Sequence, residues 1–73
     1  MEYIREVKII INDEKFDNIN EAFNELQLLA KDDNYGNNIE IYIDTNKTTY
    51  EKEFTAAESA IDFMQSIFMW IGK

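Results

Sequence analysis

The sequence contains no cysteine, no histidine and no proline, and glycine occurs only twice in 73 residues. Without cysteine and histidine the chain lacks thiolate nucleophiles, thiolate and imidazole metal ligands, and the usual general base at neutral pH. Two glycines are too few for a phosphate-binding loop or a dinucleotide-binding fingerprint. We therefore expect a protein that is not an enzyme and that uses no cofactor and no metal.

Carboxylates remain the one abundant class of reactive side chain, and they raise the question of a calcium loop around Gly36. With Gly36 at position six of such a loop, Lys31 falls at position one and Tyr42 at position twelve. Both positions require oxygen ligands, so the match fails. A metal-assisted carboxylate enzyme is the third and least favoured hypothesis.

The length permits one small domain with a single core, and we expect residues 1–73 to form it. The longest apolar run, residues 67–71, is far shorter than the roughly 20 residues of a transmembrane helix. The first residues lead into a charged strand and not into the apolar core of a signal peptide. The expected location is the cytoplasm, which is the host's cytoplasm if the chain is phage-encoded.

Alternation of apolar and polar residues predicts three strands. The first covers residues 3–12, and the other two form a hairpin over residues 39–54 that turns at residues 45–47. Residues 12–15 are predicted to be a turn, after which Phe16 points back to the core. The first strand's predicted inner face comprises Tyr3, Val7, Ile9 and Ile11. Its predicted outer face comprises Ile4, Glu6, Lys8 and Ile10.

Apolar residues at helical spacing predict two helices. The first covers residues 19–31 and begins after Asn18 as N-cap. The second begins after Thr55 as N-cap, with Glu58 completing a capping box, and Gly72 ends it.

The predicted fold is α+β, with the element order β-α-β-β-α. Each helix has one apolar stripe and each strand one apolar face, which is typical of two layers. We expect a three-stranded sheet with both helices packed on one face. The strand order is left open.

Charge is the most distinctive property of the composition, because 15 acidic residues against 7 basic ones give a net charge of −8. This sign disfavours direct binding to nucleic acid or to an acidic membrane surface. Two interpretations remain: the charge serves solubility, or it recognises a partner with a basic surface.

A candidate partner-binding surface follows from the predicted outer face of the sheet. Neighbouring carboxylates on one strand face lie about 6.6–6.8 Å apart, a spacing comparable to that of adjacent phosphates. Ile4, Ile10 and Tyr42 supply an apolar centre, and the first helix adds an acidic stripe. The alternative is a solvated face whose charges prevent aggregation. The candidate partner-binding residues are Glu6, Glu21, Glu25, Asp32, Glu40, Tyr42, Asp44, Glu51 and Glu53.

The second helix is apolar on more than its core side. Phe63 and Trp70 lie about 100° from the centre of its core stripe, and Met69 points nearly opposite the core. These three residues are candidate contacts of a homodimer or of a docking groove for another protein. The alternative is that Phe63 and Trp70 wrap around the edge of the sheet within one chain.

The chain resembles the small acidic inhibitors encoded by phages in its small size, its charge of −8, its lack of cysteine and histidine, and its acidic outer face. That group includes many anti-CRISPR and anti-restriction proteins. The resemblance implies a non-enzymatic inhibitor that occupies the nucleic-acid groove of a nuclease and presents carboxylates where phosphates would bind. It rests on no matched motif, so no functional residue is carried over. The alternative function is a homodimerising structural or regulatory module.

Overall fold

The computed structural model describes residues 1–71 and shows two layers, a sheet and a pair of helices. The sheet is antiparallel, with the order β2-β1-β3-β4. The predicted α+β class is confirmed, whereas the predicted number of strands was wrong, since the sheet formed by residues 1–71 has four. The elements are β1 (Ile4–Ile11), β2 (Glu14–Phe16), α1 (Ile19–Asp32), β3 (Ile39–Thr45), β4 (Thr49–Phe54) and α2 (Ala57–Ile71).

The additional strand, β2, forms a tight hairpin with β1. Asn12 and Asp13 both have positive φ, 49° and 73°, as in the type I′ turn that joins strands with a two-residue loop. Ile11 pairs with Glu14 across this turn, and residues 12–15 are therefore not one continuous turn. Phe16 packs against the core as predicted.

A β-bulge reverses the predicted faces at the start of β1. The pairing with β3 shifts between Ile4 and Glu6, so Ile4 lies opposite the buried Thr45 and packs against the core. Tyr3, predicted to face inward, is 56% exposed. An extra residue in one strand moves the residues beyond it to the opposite face. The assignments of Tyr3 and Ile4 were therefore wrong.

The core fills the space between the inner face of the sheet and the two helices. Five of its isoleucines come from β1 and β3 and a sixth, Ile67, from α2, and burying each side chain contributes about 1.5–3 kcal/mol. Both helices pack on this side, and within residues 1–71 no element covers the outer face. The buried core residues are Ile9, Ile11, Ala22, Leu26, Ile39, Ile41, Ile43, Ala57, Ala60, Met64 and Ile67.

Helix α1 begins as predicted, because the side chain of Asn18 accepts hydrogen bonds from the backbone N–H groups of Asn20 (2.9 Å) and Glu21 (3.2 Å). After the helix, Gly36 adopts a left-handed conformation with φ of 77°. A side chain at this φ would be strained, which explains a glycine in the connection to β3.

The start of helix α2 differs from the prediction. Asn34 in the α1–β3 connection accepts from the N–H of Ala57 through its backbone carbonyl and from the N–H of Glu58 through Oδ1, both at 2.8 Å. The cap therefore comes from a distant residue and not from Thr55. Gly72, the predicted end of this helix, lies outside the described residues. Neither helix within residues 1–71 is long and apolar enough to cross a membrane.

Candidate partner-binding surface

The outer face of the sheet is a surface that no element covers within residues 1–71. The pairing between neighbouring strands shows which residues belong to this face, because residues paired across antiparallel strands share a face. All five predicted strand carboxylates therefore share this face. The outer face comprises Glu6, Lys8 and Ile10 of β1, Lys15 of β2, Glu40, Tyr42 and Asp44 of β3, and Thr49, Glu51 and Glu53 of β4.

Three of the five carboxylates lie toward one end of this face, and the other two, Glu6 and Asp44, lie directly opposite each other at the other end. Glu40 lies directly opposite Glu53, and Glu51 is two residues from Glu53 on the edge strand. Directly opposite residues have Cβ atoms about 4.5–5.5 Å apart, a separation at which two like charges destabilise the sheet. We call Glu40, Glu51 and Glu53 the carboxylate cluster. The carboxylates that repel one another therefore lie on the side of the sheet that no helix covers within residues 1–71.

Two half-buried apolar side chains, Ile10 and Tyr42, lie beside the carboxylate cluster. They line a shallow, open depression of about 870 Å³ on the outer face. Apolar centres with a charged rim are characteristic of protein interfaces. Ile4, the third predicted member of the centre, is absent from this surface because the bulge turns it into the core. The other residues that line the depression are Lys8, Glu40, Ile41, Glu51, Lys52 and Glu53.

Asp44 is held within the chain and is less available to a partner than the sequence suggests. The guanidinium of Arg5 lies 3.2 Å from its Oδ2, and the hydroxyl of Thr49 donates to its Oδ1 at 2.8 Å. Its side chain is only 20% exposed. Among residues 1–71 this is the one ion pair within 4.0 Å.

The structure reduces the net charge of the outer face relative to the prediction. The prediction placed a single cation, Lys8, among five carboxylates. The β1–β2 hairpin places Lys15 on this face, and at the bulge the guanidinium of Arg5 contacts Asp44 of the face. The five carboxylates and the three cations together give a net charge of −2. Directly opposite carboxylates thus occur at both ends of the face, and Arg5 pairs with Asp44 at the end that lies away from the carboxylate cluster.

The acidic stripe of the first helix lies on a different surface. Glu21, Glu25 and Asp32 belong to α1, in the layer that packs on the inner face of the sheet. Glu21 and Asp32 are exposed, and Glu25 is half-buried. A flat partner surface cannot contact this stripe and the outer face together, so the structure divides the predicted site into two.

The three candidate dimer contacts on α2 do not lie on one common surface. Phe63 packs within its own chain against Phe54, with ring centroids 5.4 Å apart and an interplanar angle of 49°. Met69 and Trp70 are 68% and 75% exposed. The prediction that the sheet edge covers both Phe63 and Trp70 therefore describes Phe63 but not Trp70.

Two shallow apolar grooves flank the exposed part of α2. The first, about 590 Å³, lies between α1 and α2 and includes Phe23 and Met69 in its lining. The second, about 340 Å³, lies between β4 and α2 and is lined by Tyr50, Ser66, Trp70 and two apolar neighbours. Met69 and Trp70 thus border different grooves.

Sequence reasoning missed a cluster that holds the amino-terminal segment against the β3–β4 turn. Oε2 of Glu2 accepts from the hydroxyl of Thr45 at 2.7 Å and from that of Tyr50 at 3.4 Å. Partial burial, followed by the charge and hydrogen bond of Glu2, raises the pKa of Tyr50 above its ordinary value. These partners lie more than 40 residues apart, and local periodicity carries no signal for them.

Among residues 1–71 no group of three or more acidic side chains is placed to hold a metal ion. No protein-family model, curated protein or solved structure matches this chain.

Proposed function

We propose that the protein is a non-enzymatic inhibitor, from a phage or mobile element, that binds a basic nucleic-acid-binding surface of a nuclease. In this proposal it acts as an anti-CRISPR or anti-restriction protein through partial mimicry of DNA. The observation that carries the proposal is the uncovered outer face, where Ile10 and Tyr42 adjoin the carboxylate cluster.

The spacing within the carboxylate cluster supports mimicry of a short stretch of phosphates. Glu51 and Glu53 lie about 6.6–6.8 Å apart along β4, and Glu40 is one strand further in. Duplex DNA carries a charge every ~1.7 Å of its axis, so the imitation is local and partial. Lysines and arginines of the partner would pair with these carboxylates and make association fast and salt-sensitive.

The direct opposition of Glu40 and Glu53 gives further support. A sheet selected for stability alone would place a lysine opposite a glutamate, because opposite charges at this position stabilise the pairing. Departures from such local rules are expected at functional sites. The binding surface that we propose comprises Ile10, Glu40, Tyr42, Glu51 and Glu53; neither the ion-paired Asp44 nor the α1 stripe belongs to its centre.

The test is a competition assay against a panel of purified CRISPR effector nucleases and restriction endonucleases. We expect the chain to displace DNA from at least one enzyme and to inhibit its cleavage. The double reversal Glu51→Lys/Glu53→Lys should abolish this effect at physiological salt and leave the circular dichroism spectrum unchanged.

A matched control separates the outer face from overall charge. Glu21→Lys/Asp32→Lys makes the same change in net charge, from −8 to −4, on the α1 stripe. It should retain most of the inhibition. Equal losses in both variants would show that only net charge matters, and a panel with no inhibited enzyme would refute the proposal.

A second candidate function, a homodimerising structural or regulatory module, is favoured by the exposure of Met69 and Trp70. Residues 63–71 contain no charged side chain, so two copies could approach there despite their like net charges. Tryptophan is a frequent anchor of interfaces. Analytical ultracentrifugation should then show a dimer that Trp70→Ala dissociates; a monomer at high concentration would exclude this candidate.

A further inference from the structure

We propose that the free edge of β4, together with the groove between β4 and α2, binds an extended segment of another protein as a fifth strand. The segment would alternate basic and apolar residues. This inference goes beyond the proposed function, because it concerns the backbone edge of β4 and the groove on the helical side. It shares only Glu51 and Glu53 with the surface proposed above.

The edge of β4 offers backbone groups for strand addition. β4 is the last strand of the order β2-β1-β3-β4, and its far side pairs with no strand among residues 1–71. In an antiparallel pair every second residue directs its N–H and C=O away from its partner. β4 spans six residues, whereas the opposite edge strand, β2, spans three. Edges of this kind accept extended peptides through main-chain hydrogen bonds.

The groove supplies a site for side chains on the helical side of such an added strand. It adjoins Tyr50 of β4, and Phe63, Ile67 and Trp70 form its apolar lining on α2. Successive side chains of a strand point to opposite faces. Every second side chain of the segment would therefore point toward the helical side, where the groove favours an apolar residue.

On the outer side the segment would meet carboxylates. Glu51 and Glu53 are exposed and share the outer face, and opposite charges paired across strands stabilise a sheet. Lys52 lies between them at the register of the buried Ile41 and is exposed on the helical side. Lys52 disfavours a basic residue opposite it, so the basic residues of the segment belong on the outer side only.

The same charges argue against a second copy of this chain as the added strand. When two β4 strands pair antiparallel in one continuous sheet, their outer faces lie on the same side. Outer-face residues of one copy then pair only with outer-face residues of the other. In each register that pairs five residues, Glu51 of one copy lies opposite either Glu51 or Glu53 of the other copy. Like charges directly opposite each other destabilise the pairing. The fitting occupant is a different chain with lysine or arginine at alternate positions.

The probe for the test is a capped seven-residue peptide that alternates lysine and valine. Trp70 is the only tryptophan of the chain and borders the groove, so its fluorescence reports occupancy. We expect a saturable change in this fluorescence. Hydrogen exchange should become slower at every second amide of β4 and should not change at β2. Binding without added protection at β4 would overturn the inference and would leave the proposed function standing.

Modified peptides separate strand pairing from charge attraction. N-methylation of alternate amides removes hydrogen bonds along one edge of the peptide and keeps its charge. At least one of the two alternate methylation patterns should weaken binding about tenfold, as expected for one or two lost hydrogen bonds. Binding of both methylated peptides at the parent affinity would refute strand addition, as would equal binding of an alternating glutamate–valine peptide.

Two adjacent substitutions on α2 provide a matched pair for peptide binding. Calorimetry measures this binding, because one substitution removes the tryptophan that the fluorescence assay needs. Trp70→Ala should weaken peptide binding about tenfold, within the range for a truncated interface anchor. Met69→Ala should leave it unchanged, since Met69 borders the other groove. Equal effects of the two would contradict the inference. Tyr42→Ala, on the outer face, should impair nuclease inhibition and spare peptide binding, which distinguishes the two proposals.

Discussion

Removal of the side chain of Asn34 should destabilise the protein by detaching the cap of α2. In Asn34→Ala the N–H of Glu58 loses the Oδ1 acceptor at 2.8 Å, whereas the bond from Ala57 to the backbone carbonyl of residue 34 remains. Replacing a capping asparagine by alanine costs about 0.5–2 kcal/mol. A loss of 1 kcal/mol lowers the Tm of a domain of this size by about 4–8 °C.

Urea and thermal unfolding followed by circular dichroism measure this loss. The urea midpoint should fall with an unchanged m-value, which identifies a change in stability and not in the unfolded state. Asn34→Asp keeps an acceptor and should lie within about 0.5 kcal/mol of the parent chain. Thr55→Ala, at the position that the sequence favours as the cap, should also cost less than about 0.5 kcal/mol. A larger cost for Thr55→Ala than for Asn34→Ala would refute this description of the helix start.

Two further predictions concern the bulge in β1 and the pKa of Tyr50. Because the bulge turns Ile4 into the core, Ile4→Ala should cost about 1–2 kcal/mol in urea unfolding; Tyr3→Ala should cost less than about 0.5 kcal/mol, and the reverse order would exclude the bulge. Tyr50 should titrate above its ordinary pKa in an ultraviolet phenolate titration, and Glu2→Gln should bring that pKa down; coincident titrations in the two proteins would contradict the contact. A raised pKa favours the neutral phenol in the folded chain, so this contribution to stability is complete below the unfolded pKa of about 10 and is lost as the pH rises through the folded pKa.

Strong local periodicity explains which elements the sequence predicts well. The apolar stripes of the two helices and the alternation of Ile39, Ile41 and Ile43 each place several large side chains on one face. Such patterns fix an element and its buried side without knowledge of its partners. The predicted bounds of the first helix and of the hairpin strands, and the predicted start of the second helix, accordingly lie close to those observed.

The features that the sequence does not reveal depend on pairing between distant segments. β2 has three residues and only one apolar side chain, so it shows no alternation, although the Asn12–Asp13 pair is a recognisable signal of a tight hairpin turn. The bulge beside Ile4 becomes visible only in the register with β3. The cap from Asn34 joins residues 24 positions apart and escapes any local rule.

The same distinction applies to the candidate surface. Alternation along β3 and β4 correctly grouped Glu40, Glu51 and Glu53, because each strand's pattern is regular there. The cations that reduce the charge of the outer face were not foreseen, since Lys15 arrives with the unpredicted strand and Arg5 with the bulge. The predicted acidic surface therefore consists of the carboxylate cluster at one end of the sheet and of Glu6 and Asp44, beside Arg5, at the other.

The most direct test of the central claim is an NMR map of the contact surface in complex with a nuclease that the chain inhibits. Cross-saturation from the unlabelled nuclease to the isotopically labelled chain identifies the amides in contact. The affected amides should cluster at residues 8–10, 40–42 and 51–53, on the outer face. Contacts confined to α1 and α2 would contradict binding through the outer face.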